Sequence, residues 1–521
     1  MGGGTAGNVV GSLLSDNPDA SVLLIEAGPY TLTSPISLPS IPGLTALNVA
    51  SKALDWNLKL VSQKATLKSS ADPGFRDRSI PIPRGKVLGG SNELNFMLFV
   101  EGTKGDYEHW AKTLKSESWN FATMKRHIES HRQAIQPSVK TEETSHLLSN
   151  AFVRAHPSAF LFTSSVKSGV RSSTARAYTH PRLQDGRENL RVYVNAPVSR
   201  LLHEDKRVNG VEFEGGGRAI ARKEVVLCSG AYHSPHLLLK SGIGNEHIGK
   251  HLQDHPILGL KYRLGSEGGT WWPKSMSYLS VFGNPMNLCN YVFKSFGPLS
   301  TSGADFGLFE SSNSTFKDGD RPDLQIHGMP TAGDGAFLRD FLQFEPNFQA
   351  SFGVPNDYSP LFAQGLIIAP TLLHPNSEGS VTLGDNGEAV IELESFTDED
   401  DLDRIVKAVR LAQEVMRAPA MMEHDPHLLE HTVLAKELGQ DTDEYWREYA
   451  RLFGFFVYHP ASSVRMSASP ASGAVDPKCR VWGWEGIRVA DASVMPSITS
   501  GNTNVPTAAI AHNCVEIMFR G

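Results

Sequence analysis

The sequence predicts an α/β fold in which a nucleotide-binding parallel sheet is joined to a mostly antiparallel region. A glycine-rich turn opens the chain and leads directly into a helical segment. A second strand–turn–helix pattern, in residues 225–239, suits the same parallel sheet. Residues 257–455 contain more aromatic side chains and longer loops, and Asp385-Asn386-Gly387 is a hairpin turn. At 521 residues, the chain is long enough for two domains.

The first turn has the spacing of a dinucleotide-binding fingerprint. Gly2, Gly4 and Gly7 stand in the order G-x-G-x-x-G. The first glycine allows the tight turn, the second lets a pyrophosphate approach, and the third lets the next helix pack on the sheet. Glu26 ends an apolar run at the distance where a carboxylate binds the ribose of an adenine dinucleotide. The pattern predicts a Rossmann-like unit.

One part of this unit is missing from the sequence. The glycine turn should follow a strand, and only Met1 precedes Gly2. That first strand is central in a Rossmann sheet. We therefore expect it to be absent, so that its two neighbours lack a ladder partner on one side.

The nucleotide-binding domain is expected to be discontinuous in sequence. Residues 486–493 read as a strand that ends in small and acidic residues, and the chain then closes with a helix from Pro506. This pattern resembles that of the first 30 residues.

We predict a domain formed by residues 1–256 and 456–521, with a lid or substrate segment around 130–180. Residues 257–455 are expected to form a mostly antiparallel substrate-binding domain.

Charge and hydropathy exclude several classes of function. The formal net charge of -7 is small, and no block of lysine and arginine stands out. Binding to nucleic acid or to an anionic membrane is therefore not expected. No apolar run is long enough for an integral membrane segment, and no signal-peptide pattern is visible. The cellular location stays open.

No metal site is predicted. The four cysteines are scattered without a C-x-x-C pair, so we expect buried or free thiols rather than a zinc site or a disulfide. The acidic run Asp398–Asp401 is typical of a helix N-terminus in solvent.

Two short stretches near the C-terminus could carry chemistry. His459 lies between tyrosine and proline, and histidine is the usual side chain for moving a proton near neutral pH. Asn502 lies in a loop of small residues, and its amide can hold a substrate oxygen without charge. We assign His251, His255 and His374 structural roles. The residues alone predict a dinucleotide-binding oxidoreductase with two domains.

Together, these motifs resemble those of the glucose–methanol–choline (GMC) flavin oxidoreductases. The matching stretches follow one another in order over nearly the whole chain: Gly2–Gly7, Ile25–Gly28, Pro83–Asn95, Ser229–Gly244, Gly249–Pro256, His459–Pro460, Val475–Pro477, Gly486–Pro496 and Ser500–Thr507. A lone glycine fingerprint is a weak signal, whereas an ordered set of this kind is strong.

The resemblance implies FAD as the cofactor. It implies that the glycine turn (Gly2, Gly4, Thr5, Ala6 and Gly7) holds the pyrophosphate and that Glu26 binds the adenosine ribose. It further implies a flavin lining formed by Val87, Asn95, Phe96, Met97 and Leu98, an adenine contact at Val198, and contacts to the pyrophosphate and ribityl chain at Asp491 and Ala492. Leu94 stands where some members carry a histidine that tethers FAD, so noncovalent FAD is expected.

The resemblance also implies the reaction. His459 takes the proton of an alcohol, hydride passes to flavin N5, and Asn502 is the partner position. The substrate is a choline-like or other primary alcohol, or a sugar, and the electron acceptor is oxygen or another compound. The alternatives are a hydroxynitrile lyase on the same fold and a truncated, non-catalytic relative. An NAD-dependent dehydrogenase does not explain the C-terminal motifs.

Overall fold

The computed structural model describes residues 1–31, 37–49, 51–61, 80–265, 285–313, 321–331, 365–393 and 395–520. Its strands are β1 (Val22–Ile25), β2 (Ala159–Leu161), β3 (Val166–Lys167), β4 (Val170–Arg171), β5 (Leu190–Tyr193), β6 (Val198–Glu204), β7 (Arg207–Phe213), β8 (Arg218–Ile220), β9 (Val225–Leu227), β10 (Pro256–Ile257), β11 (Leu260–Arg263), β12 (Phe306–Glu310), β13 (Leu324–Met329), β14 (Gly365–Leu372), β15 (Ser380–Leu383), β16 (Ala389–Glu392), β17 (His427–Leu428), β18 (Phe455–Phe456) and β19 (Ile487–Val489).

The α-helices are distributed along the whole chain. They are α1 (Thr5–Leu14), α2 (Thr45–Val49), α3 (Lys104–Leu114), α4 (Phe121–Ile135), α5 (Leu147–Ala155), α6 (His180–Gln184), α7 (Gly230–Lys240), α8 (Pro285–Lys294), α9 (Glu399–Met416), α10 (Pro419–Met422), α11 (Thr432–Leu438), α12 (Asp443–Phe453) and α13 (Asn504–Arg520). None of the helices in the described ranges combines the length and the apolar character needed to cross a membrane.

The parallel sheet consists of two separate pairs of strands. β1 pairs with β5, and β9 pairs with β19. Met1 and Gly2 lie between the pairs: the Met1 amine donates to Val226 O (2.7 Å), Cys228 N donates to Met1 O (2.7 Å), and Gly2 N donates to Ile25 O (2.8 Å). As predicted, no full strand lies between the two pairs in the described part of the chain. These three hydrogen bonds connect the two halves.

Small residues let the first and last helices pack closely against each other. α13 packs against both α1 and α4, and its Ala508–Ala511 segment is buried. The Asn504 side chain donates to Thr5 Oγ1 over 3.0 Å. The start and the end of the chain therefore share one core, which explains why the nucleotide-binding unit is discontinuous in sequence.

The second sheet has eight strands, in the order β17-β11-β14-β13-β12-β2, with β10 and β18 attached to it. Its described pairings are all antiparallel. β14 is buried along its whole length, and α9 packs against one face of the sheet. The mixed fold class is confirmed, including the mostly antiparallel sheet. The predicted domain limits stay a prediction.

The acidic run before α9 is a helix cap. The Asp398 side chain accepts from the backbone N–H groups of Asp400 and Asp401. These three carboxylates also form the group of possible metal ligands that is found among the described residues. The cap made by Asp398, the Asp401 bonds to the N–H groups of Asn376 and Ser377, and the ion pair of Asp400 with Arg404 account for the cluster.

The prediction of four unpaired cysteines is wrong for two of them. Cys479 and Cys514 form a disulfide, with Cα atoms 6.5 Å apart. They are 35 positions apart in sequence, and only the packing of α13 against the loop around Cys479 brings them together. Cys228 and Cys289 are free thiols.

Three buried histidines lie where α4 meets α13. His131 Nδ1 lies 3.0 Å from the Tyr178 hydroxyl, which lies 2.9 Å from His512 Nε2. The ring of His127 lies 5.9 Å from that of His512. Burial lowers the pKa of His131 and His512 to about 3 and that of His127 to about 4. All three are neutral in the folded protein at neutral pH.

This cluster predicts that the protein loses stability as the pH falls below about 6.5. The unfolded chain then binds protons that the folded chain does not, with a slope of about 1.4 kcal/mol per pH unit for each histidine. We expect the Tm to fall between about pH 7 and pH 5. It should fall less in a His512→Gln variant, which retains a polar partner for Tyr178. Thermal unfolding followed by circular dichroism measures this difference, and equal falls in both proteins would contradict it.

Candidate active site

A cavity of about 550 Å³ runs from the glycine turn to the antiparallel sheet. Most of the predicted site residues line it: Gly2, Gly4, Thr5, Ala6, Glu26, Asn95, Phe96, Met97, Leu98, Val198, His459, Asp491, Ala492 and Asn502. The predicted positions Gly7 and Val87 are buried and lie outside the lining. The backbone of Val87 instead lies against Gly28.

The glycines of the first turn have different physical roles. A Cβ atom on Gly7 would lie 1.8 Å from Gly2 O, and one on Gly90 would lie 2.7 Å from the Cα atom of Gly4. Gly90 also has a φ of +57°, a left-handed conformation that favours glycine. A Cβ atom on Gly4 would meet nothing closer than 3.9 Å. The lack of a side chain at Gly7 and Gly90 therefore allows backbone segments to lie in close contact. At Gly4 the same lack of a side chain leaves space open to the cavity.

We expect Gly7→Ala to destabilise the ligand-free protein more than Gly4→Ala, which meets no clash and loses only the N-cap preference for glycine. The clash with Gly2 O outweighs the helix propensity that alanine gains, and overpacking of this kind costs about 1–3 kcal/mol or more. Thermal unfolding of the two variants beside the wild type tests the contrast. Equal Tm values for the Gly7 variant and the wild type would contradict the assignment.

Glu26 is held at the end of β1 by the turns on either side of it. Its Oε2 accepts from Gly3 N (2.8 Å) and its Oε1 accepts from Gly28 N (2.8 Å). Burial raises the pKa of this carboxyl to about 7, and the backbone hydrogen bonds oppose that rise. Each oxygen keeps a second lone pair, so the side chain can still accept from hydroxyl groups in the cavity.

A buried arginine shapes the segment that contains Asn95 and Met97. Nη1 of Arg171 donates to the backbone oxygen and to the Oδ1 atom of Asn95, both at 2.8 Å. Met97 has a φ of +61°, and its N–H donates to Asn95 Oδ1 (3.1 Å). Sequence reasoning missed Arg171 because it lies 76 residues from Asn95 in a weakly patterned region.

Asp491 joins the ends of β9 and β19. One carboxylate oxygen accepts from Gly230 N (2.8 Å) and the Ser234 hydroxyl (2.6 Å). The other accepts from the N–H (2.9 Å) and hydroxyl (2.5 Å) of Ser493. These four bonds fix the turn that presents Ala492 to the cavity, so the carboxylate acts mainly by holding the surrounding backbone.

His459 and Asn502 meet at the cavity wall, as the sequence suggested they could. Asn502 Nδ2 lies 3.0 Å from His459 Nε2. The other ring nitrogen, Nδ1, lies 3.1 Å from Nδ1 of His255. Sequence reasoning assigned His255 only a structural role and missed this contact, although the Gln-Asp-His-Pro stretch belongs to a matching motif.

The hydrogen bonds that link Thr499, His255 and His459 fix the tautomer of both histidine rings. His255 Nε2 lies 3.0 Å from Thr499 O, which can only accept, so Nε2 carries the proton. Burial lowers the pKa of His255 to about 3, so the ring is neutral and its Nδ1 accepts. The Nδ1–H group of His459 therefore donates to His255.

His459 is left with an unprotonated Nε2 at the cavity. Burial holds the pKa of His459 well below its usual range, and the neighbouring His255 lowers it further. The ring is therefore neutral, and its Nε2 lone pair accepts from the amide of Asn502. This lone pair can accept a proton from a hydroxyl group that replaces the amide of Asn502 as its hydrogen-bond donor.

Buried carboxyl groups hold the loops that carry these side chains. Asp254 Oδ1 accepts from the backbone N–H groups of His255 and His459, both at 2.8 Å. Burial raises the pKa of Asp254 to about 7. Asp106, which caps α3, accepts from Ser500 N over 2.9 Å and so fixes the loop that leads to Asn502.

Two family models match most of the chain. Both describe GMC oxidoreductases; one matches residues 1–257 and the other residues 375–511. The chain is a GMC oxidoreductase. The resemblance drawn from its motifs is therefore confirmed, and the chain is an oxidoreductase of this family.

Curated relatives and solved structures cover the whole chain. An "Alcohol dehydrogenase [acceptor]" from Pseudomonas putida is 29% identical over 100% of this chain and 95% of its own length. An "Oxygen-dependent choline dehydrogenase" from Staphylococcus saprophyticus is 28% identical over 99% and 94%. Pyridoxine 4-oxidase from Mesorbium loti superposes with a TM-score of 0.78 at 21% identity, over 100% of this chain and 98% of that chain. This structural likeness supports the fold.

Proposed function

We propose that this GMC oxidoreductase uses FAD to oxidise the CH–OH group of an alcohol. The observation that carries the proposal is the pairing of His459 Nε2 with Asn502 at the wall of the cavity that also contains the glycine turn. The names of the relatives support the reaction class, since an alcohol dehydrogenase and a choline dehydrogenase both act on alcohols. The substrate is a small molecule, and the acceptor is oxygen or another electron acceptor.

The residues present fit FAD. Gly4 leaves open space at the N-terminus of α1, where backbone N–H groups and the helix dipole favour a pyrophosphate. Glu26 keeps acceptor capacity for ribose hydroxyls. In this proposal Asn95, Phe96, Met97 and Leu98 line the flavin, Val198 lies at the adenine, and Ala492 with Asp491 lies along the pyrophosphate and ribityl chain. Residues 1–256 and 456–521 form the FAD domain, and residues 257–455 form the substrate domain.

The buried Oδ1 atom of Asn502 supports a ligand at the same place. It has no hydrogen-bond partner among the described residues. An unpaired buried acceptor costs about 1–3 kcal/mol. A bound substrate or cofactor group that donates to it removes this cost.

His459 acts as the general base in this proposal. An alcohol that replaces the hydrogen bond between the two side chains accepts from Asn502 Nδ2 and donates its proton to His459 Nε2. His255 is a positioning residue, because its bond to Thr499 O keeps Nε2 of His459 unprotonated. When bound, FAD supplies the acceptor for the hydride that leaves the carbinol carbon.

We expect His459→Ala to slow flavin reduction by about 10²–10⁴-fold while FAD stays bound, because the alcohol then has no general base. Asn502→Ala should act mainly through substrate orientation. Anaerobic stopped-flow mixing of each holoenzyme with a saturating alcohol measures the rate, and the visible spectrum before mixing measures FAD content. An unchanged rate in the His459 variant would remove this residue from the mechanism, and loss of FAD in the Asn502 variant would assign that residue a structural role.

FAD is expected to be held noncovalently, because Leu94 has no nucleophilic atom for attachment. Leu94 lines the cavity beside Asn95. Denaturation followed by ultrafiltration should release the yellow colour into the filtrate. Colour retained on the chain after denaturation would contradict this expectation.

A further inference from the structure

The loop of residues 497–502 supplies two atoms on which the proposed chemistry depends. The carbonyl oxygen of Thr499 lies 3.0 Å from His255 Nε2 and sets the tautomer of that ring. The amide Nδ2 of Asn502 lies 3.0 Å from His459 Nε2. Any group that fixes this loop therefore acts on both histidines of the cavity wall.

Ser500, which lies between these two positions, is held by a buried serine–histidine–aspartate cluster. Its N–H donates to Asp106 Oδ2 (2.9 Å), and its hydroxyl lies 2.9 Å from His374 Nε2. The same hydroxyl can donate to Asp106 Oδ1 (3.2 Å) or to Pro322 O (3.1 Å). Ser500 is 1% exposed, and none of the three residues lines the cavity, so the serine does not meet a substrate. The cluster instead fixes the loop.

The contacts of His374 also fix its tautomer. Arg321 Nη2 lies 3.4 Å from His374 Nδ1, and a guanidinium group can only donate, so Nδ1 accepts. Burial holds the pKa of His374 well below its usual range, and the neighbouring Arg321 lowers it further. The ring is therefore neutral, and its Nε2–H group donates to Ser500. The Asp106 carboxylate, 3.7 Å from Nε2, favours the same tautomer.

His374 and Arg321 extend from the antiparallel sheet to this loop. His374 follows β14, and Arg404 of α9 donates to its backbone oxygen over 2.8 Å. Arg321 precedes β13, and it donates to Asp106 Oδ1 and to Ser497 Oγ, both at 3.2 Å. The loop that faces the two cavity histidines is therefore anchored to the second sheet through side chains outside the cavity.

Resting on the proposed function, we propose that His374 is a positioning residue for the proton transfer. It holds Ser500, and the loop then keeps Thr499 O and Asn502 Nδ2 at the two histidines of the cavity wall. A displacement of about 1 Å in such a group can slow a reaction by about 100-fold.

Three variants of the holoenzyme test the proposal by anaerobic stopped-flow mixing with a saturating primary alcohol. His374→Leu removes the donor to Ser500, and the limiting rate of flavin reduction should fall by about 10- to 100-fold while FAD stays bound. His374→Gln retains an N–H donor that can reach the same hydroxyl, so its rate should stay within about 3-fold of the wild type. The control, His512→Gln, alters a buried histidine outside this cluster and should also stay within about 3-fold.

A purely structural role for His374 would give a different pattern. Both His374 variants would then lower the Tm and leave the limiting rate unchanged at temperatures well below it. A rate for His374→Leu within about 3-fold of the wild type, or an equal loss in His374→Gln, would overturn the proposal.

The tautomer of His255 gives a readout that needs no substrate. In FAD-loaded protein labelled with heavy nitrogen in its histidine rings, NMR should show His255 Nε2 bonded to hydrogen and Nδ1 as an acceptor, in the wild type and in His374→Gln. In His374→Leu the two signals should move toward each other, because the ring then samples both tautomers. Unchanged signals in His374→Leu would overturn the proposal. If no alcohol reduces the flavin, the proposed function alone is rejected, and this comparison still decides the role of His374.

Discussion

The hydrogen bond from His255 Nε2–H to the carbonyl oxygen of Thr499 determines the chemistry that the cavity wall can perform. A carbonyl oxygen can only accept, so this bond sets the tautomer of His255 and, through it, that of His459. The result is an unprotonated ring nitrogen beside the amide of Asn502. Burial keeps both rings neutral, so their protons stay where the hydrogen bonds place them. In the proposed reaction, the histidine is ready to take a proton before any alcohol binds.

Hydrogen bonds to the backbone hold His255, His459 and Asn502 in place. The residues that make these bonds are far apart in the sequence. Asp254 accepts from the N–H groups of both histidines, and Asp106 fixes the loop that leads to Asn502. Asp491 joins the ends of β9 and β19, which form one of the two pairs of parallel strands. In each case a buried carboxyl group accepts from several backbone N–H or hydroxyl groups. The positions of the side chains that line the cavity therefore depend on buried carboxyl groups. These carboxyl groups form hydrogen bonds with other groups of the protein.

The features that depend on the spacing of residues within one short segment could be predicted from the sequence alone. The glycine turn, the apolar strand before Glu26 and the acidic cap of α9 each lie within one short segment. The candidate pair His459 and Asn502 also came from two short loops 43 residues apart, and the structure brings the two side chains to 3.0 Å.

Contacts between distant segments could not be predicted in the same way. His255 lies 204 positions from His459, Arg171 lies far from the segment that it shapes, and Cys479 pairs with Cys514 only because α13 packs against its loop. Such residues are recognised through tertiary packing, which no local pattern encodes.

The central claim is that the cavity removes a hydride and a proton from an alcohol. Anaerobic mixing of the purified holoenzyme with a primary alcohol, and with the same alcohol deuterated at the carbinol carbon, tests it most directly. The account predicts that the flavin absorbance bleaches with both alcohols and that bleaching is slower with the deuterated one. Flavin absorbance that stays constant with every primary alcohol of a panel would contradict it.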